Sequence, residues 1–329
     1  MITFYLNQQL FSTQRSLGDT TLDLIRSDAG LTATKIGCRE GDCGACIILW
    51  GRLQNGQLKY QSINSCLLPI GELQGTHVVT LEGLNSDKLT PVQDALLEHR
   101  ASQCGFCTPG IVNSLTGFFL TENEISIESL TRALDGNLCR CTGYGSIKRA
   151  IHYLYEEYKD HSLPEKNRIN VLVKWGFLPD YFSDMRDKLA TISQLESNHS
   201  TEGQIVAGAT DLLVQNFAGI DLEKIRFENV ISDEVTIEIQ GEYCYISGNA
   251  TVNDLMKSDL LFRLLPEIQH SFSLISATAI RNRATLAGNI VNASPIGDLS
   301  VFFLPLQAEL GLSINGNEQI VQLSNFFLS

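Results

Sequence analysis

The sequence predicts a multidomain α+β protein, and three observations lead to that fold class. Its 329 residues are enough for two or three domains of ordinary size. Hydrophobic residues make up 43% of the chain and charged residues 19%, a balance typical of globular rather than disordered or fibrous proteins. The local patterns also change twice along the chain. They favour strands up to about residue 85, helices from there to about 160, and alternating strands and helices from about 169 onward.

Residues 1–85 are expected to form a small mixed sheet packed on one helix. Strand character is found at residues 3–6, 47–50 and 77–81. Asp19 or Thr20 can cap a short helix that ends at Gly30. The dipeptide Asn55-Gly56 is typical of a type I′ hairpin turn, so the strand around residue 50 should pair with the one that follows it.

Residues 86–160 are expected to form a second domain of four short helices. Thr90 and Thr108 are each followed by a proline, the combination that opens a helix, and Ser126 and Ser146 can cap the third and fourth helices. The helix opened by Ser146 has an apolar face that repeats every three or four residues. These signals predict a helical bundle.

The rest of the chain is expected to hold a linker and a third domain. Residues 161–168 are polar and contain a proline, which predicts the linker. In residues 169–329, strand character at 204–207 and 243–247 precedes helical patterns, and Asn315-Gly316 marks another hairpin. The third domain should therefore be α+β.

Charge and composition exclude several classes of partner. The net charge of -13 opposes binding to a nucleic-acid backbone or to an anionic membrane. The first residues lack the basic region of a signal peptide, and the longest apolar stretch, 299–312, is interrupted by polar residues and too short to span a bilayer. We therefore expect a soluble, cytoplasmic protein. In that reducing compartment its nine cysteines are metal ligands or catalytic thiols rather than disulfides.

One group of cysteines has the spacing of an iron–sulfur site. Cys38, Cys43 and Cys46 form C-x4-C-x2-C, and Cys66 follows after nineteen residues, which is typical of a plant-type [2Fe-2S] cluster. Three glycines lie in the loop, as a loop that wraps a cluster requires. The alternative is a tetrahedral zinc site, which normally uses two C-x2-C pairs.

A second group combines C-x2-C at Cys104 and Cys107 with C-x-C at Cys139 and Cys141. The first pair lies at the start of a predicted helix, where the helix dipole favours thiolate. Both pairs are next to predicted helices and can meet on one metal centre. Spacing alone leaves zinc open as its metal.

A turn of small residues, Gly208 to Asp211, follows the predicted strand at 204–207. Its successive backbone N–H groups could point at a pyrophosphate. Thr210 or Asp211 could instead only cap the following helix. The chain has no G-x-G-x-x-G pattern, so a Rossmann site is not indicated.

These motifs together resemble a known family. The segments GCREGDCGAC (37–46), QCGFCTPG (103–110) and LCRCTGY (138–144), in this order, resemble the two [2Fe-2S] domains of the molybdenum hydroxylases. VAGATDL (206–212) and residues 280–299 are similar to the FAD domain of the xanthine dehydrogenase small subunit. The resemblance implies a plant-ferredoxin-like β-grasp domain, then a four-helix [2Fe-2S] domain, then an α+β FAD-binding domain.

The resemblance also implies site residues. The implied ligands of the two clusters are Cys38, Cys43, Cys46, Cys66, Cys104, Cys107, Cys139 and Cys141. The implied FAD-binding residues are Ile205, Val206, Ala207, Gly208, Ala209, Thr210, Asp211, Leu212, Thr285, Leu286, Ala287, Gly288, Asn289 and Asp298. Two positions depart from the family pattern, because Ala287 replaces a usual glycine and Ile275 a common aromatic residue. We also expect that the family's C-terminal flavin subdomain is absent from this chain.

The function that the resemblance implies is electron transfer in a xanthine dehydrogenase-like oxidoreductase. Electrons from a molybdopterin-containing large subunit would pass through two [2Fe-2S] clusters to FAD and then NAD during oxidation of hypoxanthine or xanthine. The molybdenum site would lie on that other chain of a hetero-oligomer, and no catalytic residue is assigned here. The alternatives are a subunit that serves an aldehyde or another N-heterocycle, and a metal-binding protein without a redox role. His77 and His152 are expected to be structural.

Overall fold

A computed structural model of the chain describes residues 1–192, 203–216, 225–227, 235–314 and 316–327. The chain divides into two compact units. The first comprises Met1–Asp233 and Ser276–Arg283, and the second comprises Glu234–Ile275 and Ala284–Ser329. Because the chain returns to the first unit at residues 276–283, that unit gains a segment distant in sequence from its other parts.

The first unit begins with a five-stranded mixed sheet. Its strands are β1 (Ile2–Leu6), β2 (Gln9–Thr13), β3 (Ile47–Gln54), β4 (Gln57–Asn64) and β5 (His77–Val79). Their order is β2-β1-β5-β3-β4, with β1 and β5 parallel and the other pairs antiparallel. The short helix α1 (Thr21–Asp23) is capped by the side chain of Thr20 and continues through a wider turn to Asp28. This is the predicted β-grasp fold.

The β3–β4 hairpin follows from its turn residues. Asn55 and Gly56 both have positive φ, at 49° and 73°, as a type I′ turn requires. The register pairs Leu53 with Leu58. The predicted hairpin is therefore present.

The helical region that follows contains a one-turn helix, α2 (Leu81–Leu84), and four longer helices. These are α3 (Pro91–Glu98), α4 (Thr108–Thr121), α5 (Ile127–Arg132) and α6 (Gly145–Tyr158). Thr90 and Ser126 cap α3 and α5 through their side chains, as predicted. Residues 109–120 of α4 are all buried, because this helix contacts β3 and β4 as well as neighbouring helices.

Two predicted helix starts need correction. Thr108 is the first residue of α4 rather than its cap, a position taken by Cys107. Ser146 does not cap α6, which begins at Gly145 after Tyr144, whose φ is +62°. The hydroxyl of Tyr144 accepts a hydrogen bond from the Cys139 N–H, and this contact within the loop accompanies the displaced helix start.

Residues 161–168 lie against the helical region. Leu163 is buried, and the buried Arg168 donates to the Leu120 carbonyl at the end of α4 at 3.2 Å. The helices α7 (Arg168–Lys174) and α8 (Met185–Thr191) follow. The ring centroids of Phe177 and Phe119 are 4.2 Å apart, so the chain beyond the polar segment also packs on α4.

The remaining elements of the first unit form a small layer beside the first sheet. Strands β6 (Gln204–Val206) and β7 (Ile225–Phe227) pair in parallel, and α9 (Leu212–Gln215) follows β6. A further short helix, Thr278–Arg281, contributes Ile280 to the same apolar cluster as Val206, Leu213 and Phe227. That cluster also contains Cys46 and Cys66, so the layer packs on the cysteines of the first set.

The second unit, which contains only part of the third domain predicted for 169–329, is α+β. Its strands are β8 (Ile237–Gln240), β9 (Tyr243–Ile246), β10 (Glu309–Ile314) and β11 (Asn317–Gln322). Its helices are α10 (Val252–Lys257), α11 (Asp259–Leu264), α12 (Ile268–Ser273), α13 (Leu286–Asn292) and α14 (Asp298–Phe303). Each strand pair is an antiparallel hairpin. In the predicted turn at 315–316, Gly316 has φ +80°, while Asn315 lies outside the described residues.

Candidate metal centres and flavin site

The first cysteine set lies in the loop before β3 and just after β4. Cys38 and Cys43 are half-buried, and the N–H of Cys38 donates to Cys43 Sγ at 3.4 Å. Cys46 and Cys66 are buried, with their Sγ atoms 3.4 Å apart. Their contact raises the pKa of Cys66 and lowers the pKa of Cys46. A cation between the two sulfur atoms would allow both to ionise.

Left-handed backbone conformations give this loop its shape. Gly41 and Gly44 have φ of +85° and +67°, a region open to glycine at no steric cost. A Cβ atom at Gly44 would lie 2.4 Å from the Gly136 carbonyl oxygen. Arg39 also has positive φ, and its guanidinium bonds to Asp23 at 2.5 and 3.0 Å, which lowers the pKa of that carboxyl. The loop therefore curls back on itself in contact with the helical region.

The second cysteine set lies at the start of α4 and in the loop before α6. Cys104 and Cys141 are exposed, with their Sγ atoms 3.2 Å apart. Cys107 and Cys139 are buried and share a hydrogen bond. Burial raises the pKa of Cys107 to about 12, whereas a hydrogen bond from the Phe106 backbone N–H lowers the pKa of Cys104. Thr142 Oγ1 lies 3.0 Å from Cys139 Sγ and can donate to it.

The two cysteine sets are joined by backbone contacts. The N–H of Leu138, the residue before Cys139, donates to the Cys43 carbonyl at 3.0 Å. The side chain of Asn137 donates to the Gly44 carbonyl at 3.3 Å. A Cβ atom at Gly110 in α4 would lie 2.1 Å from that same carbonyl oxygen. The first loop therefore rests directly on the chain that carries the second set.

Both sets fit a [2Fe-2S] cluster in the chemistry of their donors. A cluster of this type takes four thiolates, two on each iron. The structure offers four pairs: Cys38 with Cys43, Cys46 with Cys66, Cys104 with Cys141, and Cys107 with Cys139. Two pairs in each set match the two irons of such a cluster.

The first predicted flavin segment, residues 205–212, is a strand, a turn and the start of α9. Gly208 and Ala209 are buried, and Ala209 has φ +59°. Asp211 occupies the cap position of α9 but makes no capping hydrogen bond, and it accepts one from Gln215 instead. Capping by Asp211 therefore does not explain this turn.

The other predicted flavin residues lie in the second unit. Thr285 is buried and caps α13 by accepting from the Gly288 N–H at 3.1 Å. Ala287 donates its N–H to the Gly248 carbonyl at 2.8 Å. Asp298 is the first residue of α14.

Two buried oxygens near Asp298 lack a hydrogen-bond partner among the described residues. They are Asn289 Oδ1 and Ser300 Oγ. A Cβ atom added to Gly297 would lie 3.3 Å from Asn289 Oδ1 and 3.7 Å from Ser300 Oγ, so both oxygens lie close to this glycine. Orphaned buried polar atoms are expected where a polar ligand completes a site. These residues therefore fit the group that the resemblance implies.

Three family models match the chain. Residues 4–70 match "2Fe-2S iron-sulfur cluster binding domain" and residues 80–152 match "[2Fe-2S] binding domain". Residues 184–329 match "FAD binding domain in molybdopterin dehydrogenase". The chain therefore has two domains that bind [2Fe-2S] clusters and one FAD-binding domain of the molybdopterin dehydrogenase type.

Relatives of this chain include xanthine dehydrogenases and a probable aldehyde oxidase. Xanthine dehydrogenase of Blastobotrys adeninivorans is 44% identical over 153 residues, covering 44% of this chain and 11% of the relative. Mouse xanthine dehydrogenase/oxidase is 27% identical over 389 aligned positions, covering 99% of this chain and 29% of the relative. A probable aldehyde oxidase of Caenorhabditis elegans is 40% identical over 136 residues, covering 40% of this chain and 11% of the relative. The chain thus spans between 11% and 29% of these relatives. None of the helices described here is long and apolar enough to cross a membrane.

Several residues that support the two cysteine sets or the turn at 208–211 were not found from the sequence. Asn137 is buried between the sets and also accepts from Ser114 Oγ at 2.8 Å. Tyr144 accepts the Cys139 N–H at 2.9 Å. Arg283 reaches Gly208 and Glu72. The position of Asn137 and Tyr144 beside the C-x-C motif is the one signal that could have drawn attention to them.

Proposed function

We propose that this chain is the electron-transfer subunit of a xanthine dehydrogenase-like enzyme. A separate molybdopterin-containing subunit would oxidise hypoxanthine or xanthine, and this chain would pass the electrons on to NAD. When bound, the two clusters carry single electrons and the flavin collects a pair for hydride transfer. The eight paired cysteines are the proposed cluster ligands, and residues 205–212, 285–289 and Asp298 the proposed FAD contacts.

The observation that carries this proposal is the direct contact between the two cysteine sets. The Leu138 N–H donates a hydrogen bond to the Cys43 carbonyl, so the residue next to Cys139 contacts a cysteine of the first set directly. Buried Asn137 and the close approach of Gly110 to Gly44 leave little room for water there. The chain's own part in the reaction is thus to hold both sets at a fixed, short separation.

The surface around the second cysteine set has features that favour the binding of a partner subunit. Cys104 and Cys141 are exposed, and the exposed apolar side chains of Phe106, Leu138 and Tyr144 lie in the same two motifs. Exposed thiols and apolar groups at a redox site favour a protein partner that covers them. We infer that the molybdopterin subunit docks on this face.

The test begins with the chain purified without oxygen. We expect about four iron atoms per chain, two paramagnetic signals after dithionite reduction, and FAD released on denaturation. Cys107→Ser should abolish the signal of the second cluster, whereas Cys244→Ser, at a cysteine outside both sets, should leave both signals intact. Protein that holds zinc and shows no signal would overturn the proposal.

The substrate is tested on the complex with its molybdopterin subunit. Hypoxanthine, xanthine, an aldehyde and quinoline are compared with NAD as the acceptor. Turnover of the purines with NAD reduction is the expected result. Turnover of the aldehyde alone would favour the second candidate, an aldehyde oxidase-like enzyme, which the similarity to the nematode relative supports.

A further inference from the structure

A buried ion pair joins two distant segments of the first unit. Arg283 donates to both carboxylate oxygens of Glu72, at 2.8 and 2.5 Å, and their side chains are only 3% and 2% exposed. Glu72 lies in the 3-10 turn between β4 and β5, and Arg283 ends the segment that returns from the second unit. The guanidinium carbon also lies 5.2 Å from the ring centroid of Trp50.

The pair is not explained by stability alone. Two charges removed from water lose solvation, and well-packed apolar side chains in their place are often at least as stable. Within the described residues, Nε of Arg283 is buried without a hydrogen-bond partner, so the cation is incompletely satisfied. Because burial of the Arg283–Glu72 ion pair costs solvation energy, we infer that the rigid, planar guanidinium of Arg283 has a positioning role.

The guanidinium group of Arg283 also donates to a third acceptor, the carbonyl oxygen of Gly208, at 2.8 Å. In a trans peptide the C=O and the following N–H point in opposite directions. Because Arg283 holds the Gly208 oxygen, the N–H of Ala209 is turned away from Arg283. In the described structure, the N–H groups of Ala209 and Thr210 donate to no protein atom.

Ala209 needs outside support for this geometry. Its φ of +59° is a left-handed conformation that a residue with a Cβ atom adopts rarely. Without the bond to Arg283, the peptide could rotate and present the Gly208 oxygen in place of the Ala209 N–H. An anionic ligand would then meet a carbonyl oxygen instead of a donor.

We propose that Arg283, held in place by Glu72, is a positioning residue that fixes the Gly208–Ala209 peptide so that its N–H faces the diphosphate of FAD. This inference rests on the proposed function, in which residues 205–212 bind that diphosphate. It also gives the first iron–sulfur domain a direct part in flavin binding, because Glu72 belongs to that domain.

The test compares conservative variants of two buried arginines. Arg283→Lys keeps the charge beside Glu72 but cannot donate to the carboxylate and to Gly208 in the same fork. Arg281→Lys is the matched control, since Arg281 is 1% exposed and bonds to Asp135 and to the Ser276 carbonyl rather than to Gly208. A double variant, Glu72→Met with Arg283→Met, removes both charges and guards against misfolding caused by an unpaired carboxylate.

Each full-length protein is stripped of flavin and titrated with FAD, and binding is followed by the loss of FAD fluorescence. Iron content and visible circular dichroism report whether the rest of the chain is intact. Arg283→Lys and the double variant should raise the FAD Kd about tenfold, equivalent to about 1.4 kcal/mol, with unchanged iron content. Arg281→Lys should stay within about twofold of the wild type.

Wild-type affinity in both Arg283 variants, with intact iron content, would overturn the inference and leave the proposed function standing. An equal loss in Arg281→Lys would also overturn it, because the effect would then come from burial of any arginine in this segment. If the wild type itself binds no FAD, the flavin part of the proposed function fails, and this inference fails with it.

Discussion

The carbonyl oxygen of Cys43 accepts a 3.0 Å hydrogen bond from the N–H of Leu138, which ties a cysteine of the first set to the neighbour of Cys139. The next carbonyl, that of Gly44, contacts Asn137 and Gly110. Backbone groups therefore fix the separation between the two proposed clusters. Since electron transfer depends on that separation, this contact is the part of the fold on which the proposed function depends most.

The first prediction concerns Gly44. A Cβ atom there would overlap the Gly136 carbonyl oxygen at 2.4 Å, and backbone atoms cannot move aside easily. We expect Gly44→Ala to separate the two loops and to lose iron and at least one paramagnetic signal after reduction, as measured by iron analysis and electron paramagnetic resonance.

Gly56→Ala is the matched control for Gly44→Ala. Gly56 has a similar φ of +73° but no heavy atom within 4 Å of an added Cβ, so its variant tests backbone strain alone. It should lose about 1 kcal/mol of stability and no iron. Equal behaviour of the two variants would show that the contact at Gly44 is unimportant.

The second prediction concerns the hydroxyl of Thr142, which lies 3.0 Å from Cys139 Sγ. A hydrogen bond to a ligand sulfur favours the reduced cluster, because reduction adds negative charge. Thr142→Val should therefore lower the reduction potential of the second cluster by about 40 mV, the equivalent of a bond of about 1 kcal/mol. A redox titration followed by paramagnetic resonance measures this shift. Thr142→Ser keeps the hydroxyl and should show no shift. An equal shift in Thr142→Ser would show that the hydrogen bond is not its cause.

The third prediction is a pH dependence set by His77. Its Nε2 donates to the Asn7 carbonyl at 2.9 Å, so Nδ1 accepts from the Tyr60 hydroxyl at 2.6 Å. Burial lowers the pKa of His77 from 6.5 to about 3. Between these values the unfolded chain binds a proton that the folded chain does not, so stability falls as the pH falls, by about 1.4 kcal/mol per pH unit.

Urea unfolding at pH 6.5 and pH 5 tests the role of His77. The wild type should lose about 2 kcal/mol more than His77→Gln over this interval. The exposed His152 provides the control, and His152→Gln should retain the wild-type slope. An unchanged slope in His77→Gln would show that His77 is not the group responsible.

The fourth prediction concerns Ala287, where the family usually has glycine. A Cβ atom at Gly248 would lie 3.0 Å from Ala287 Cβ, so the missing side chain of Gly248 provides the space that Ala287 uses. Gly248→Ala should destabilise the second unit by about 1 kcal/mol through overpacking. In the double variant with Ala287→Gly, most of the lost stability should be restored, as measured by thermal unfolding. Additive losses in the double variant would contradict this compensation.

Local signals predicted much of the fold. Thr90 and Ser126 cap their helices, and Asn55-Gly56 forms its turn, because these structures depend on residues within a few positions. Ser146 was a wrong prediction, since a contact from Tyr144 to Cys139 accompanies a helix start one residue earlier. Capping patterns consider the cap and the first helical turn, and they do not include a side-chain contact to the loop that precedes the helix.

The sequence by itself determined which atoms are available for chemistry: the spacing of eight cysteines, their division into two sets, and the turn of small residues at 208–211. Only the tertiary structure decided which sulfur atoms pair, that Leu138 bonds to Cys43, and that Arg283 reaches Glu72 across 211 positions. The reason is physical. Spacing along the chain limits local geometry, whereas contacts between distant segments depend on how the sheet, the helices and the returning segment pack together.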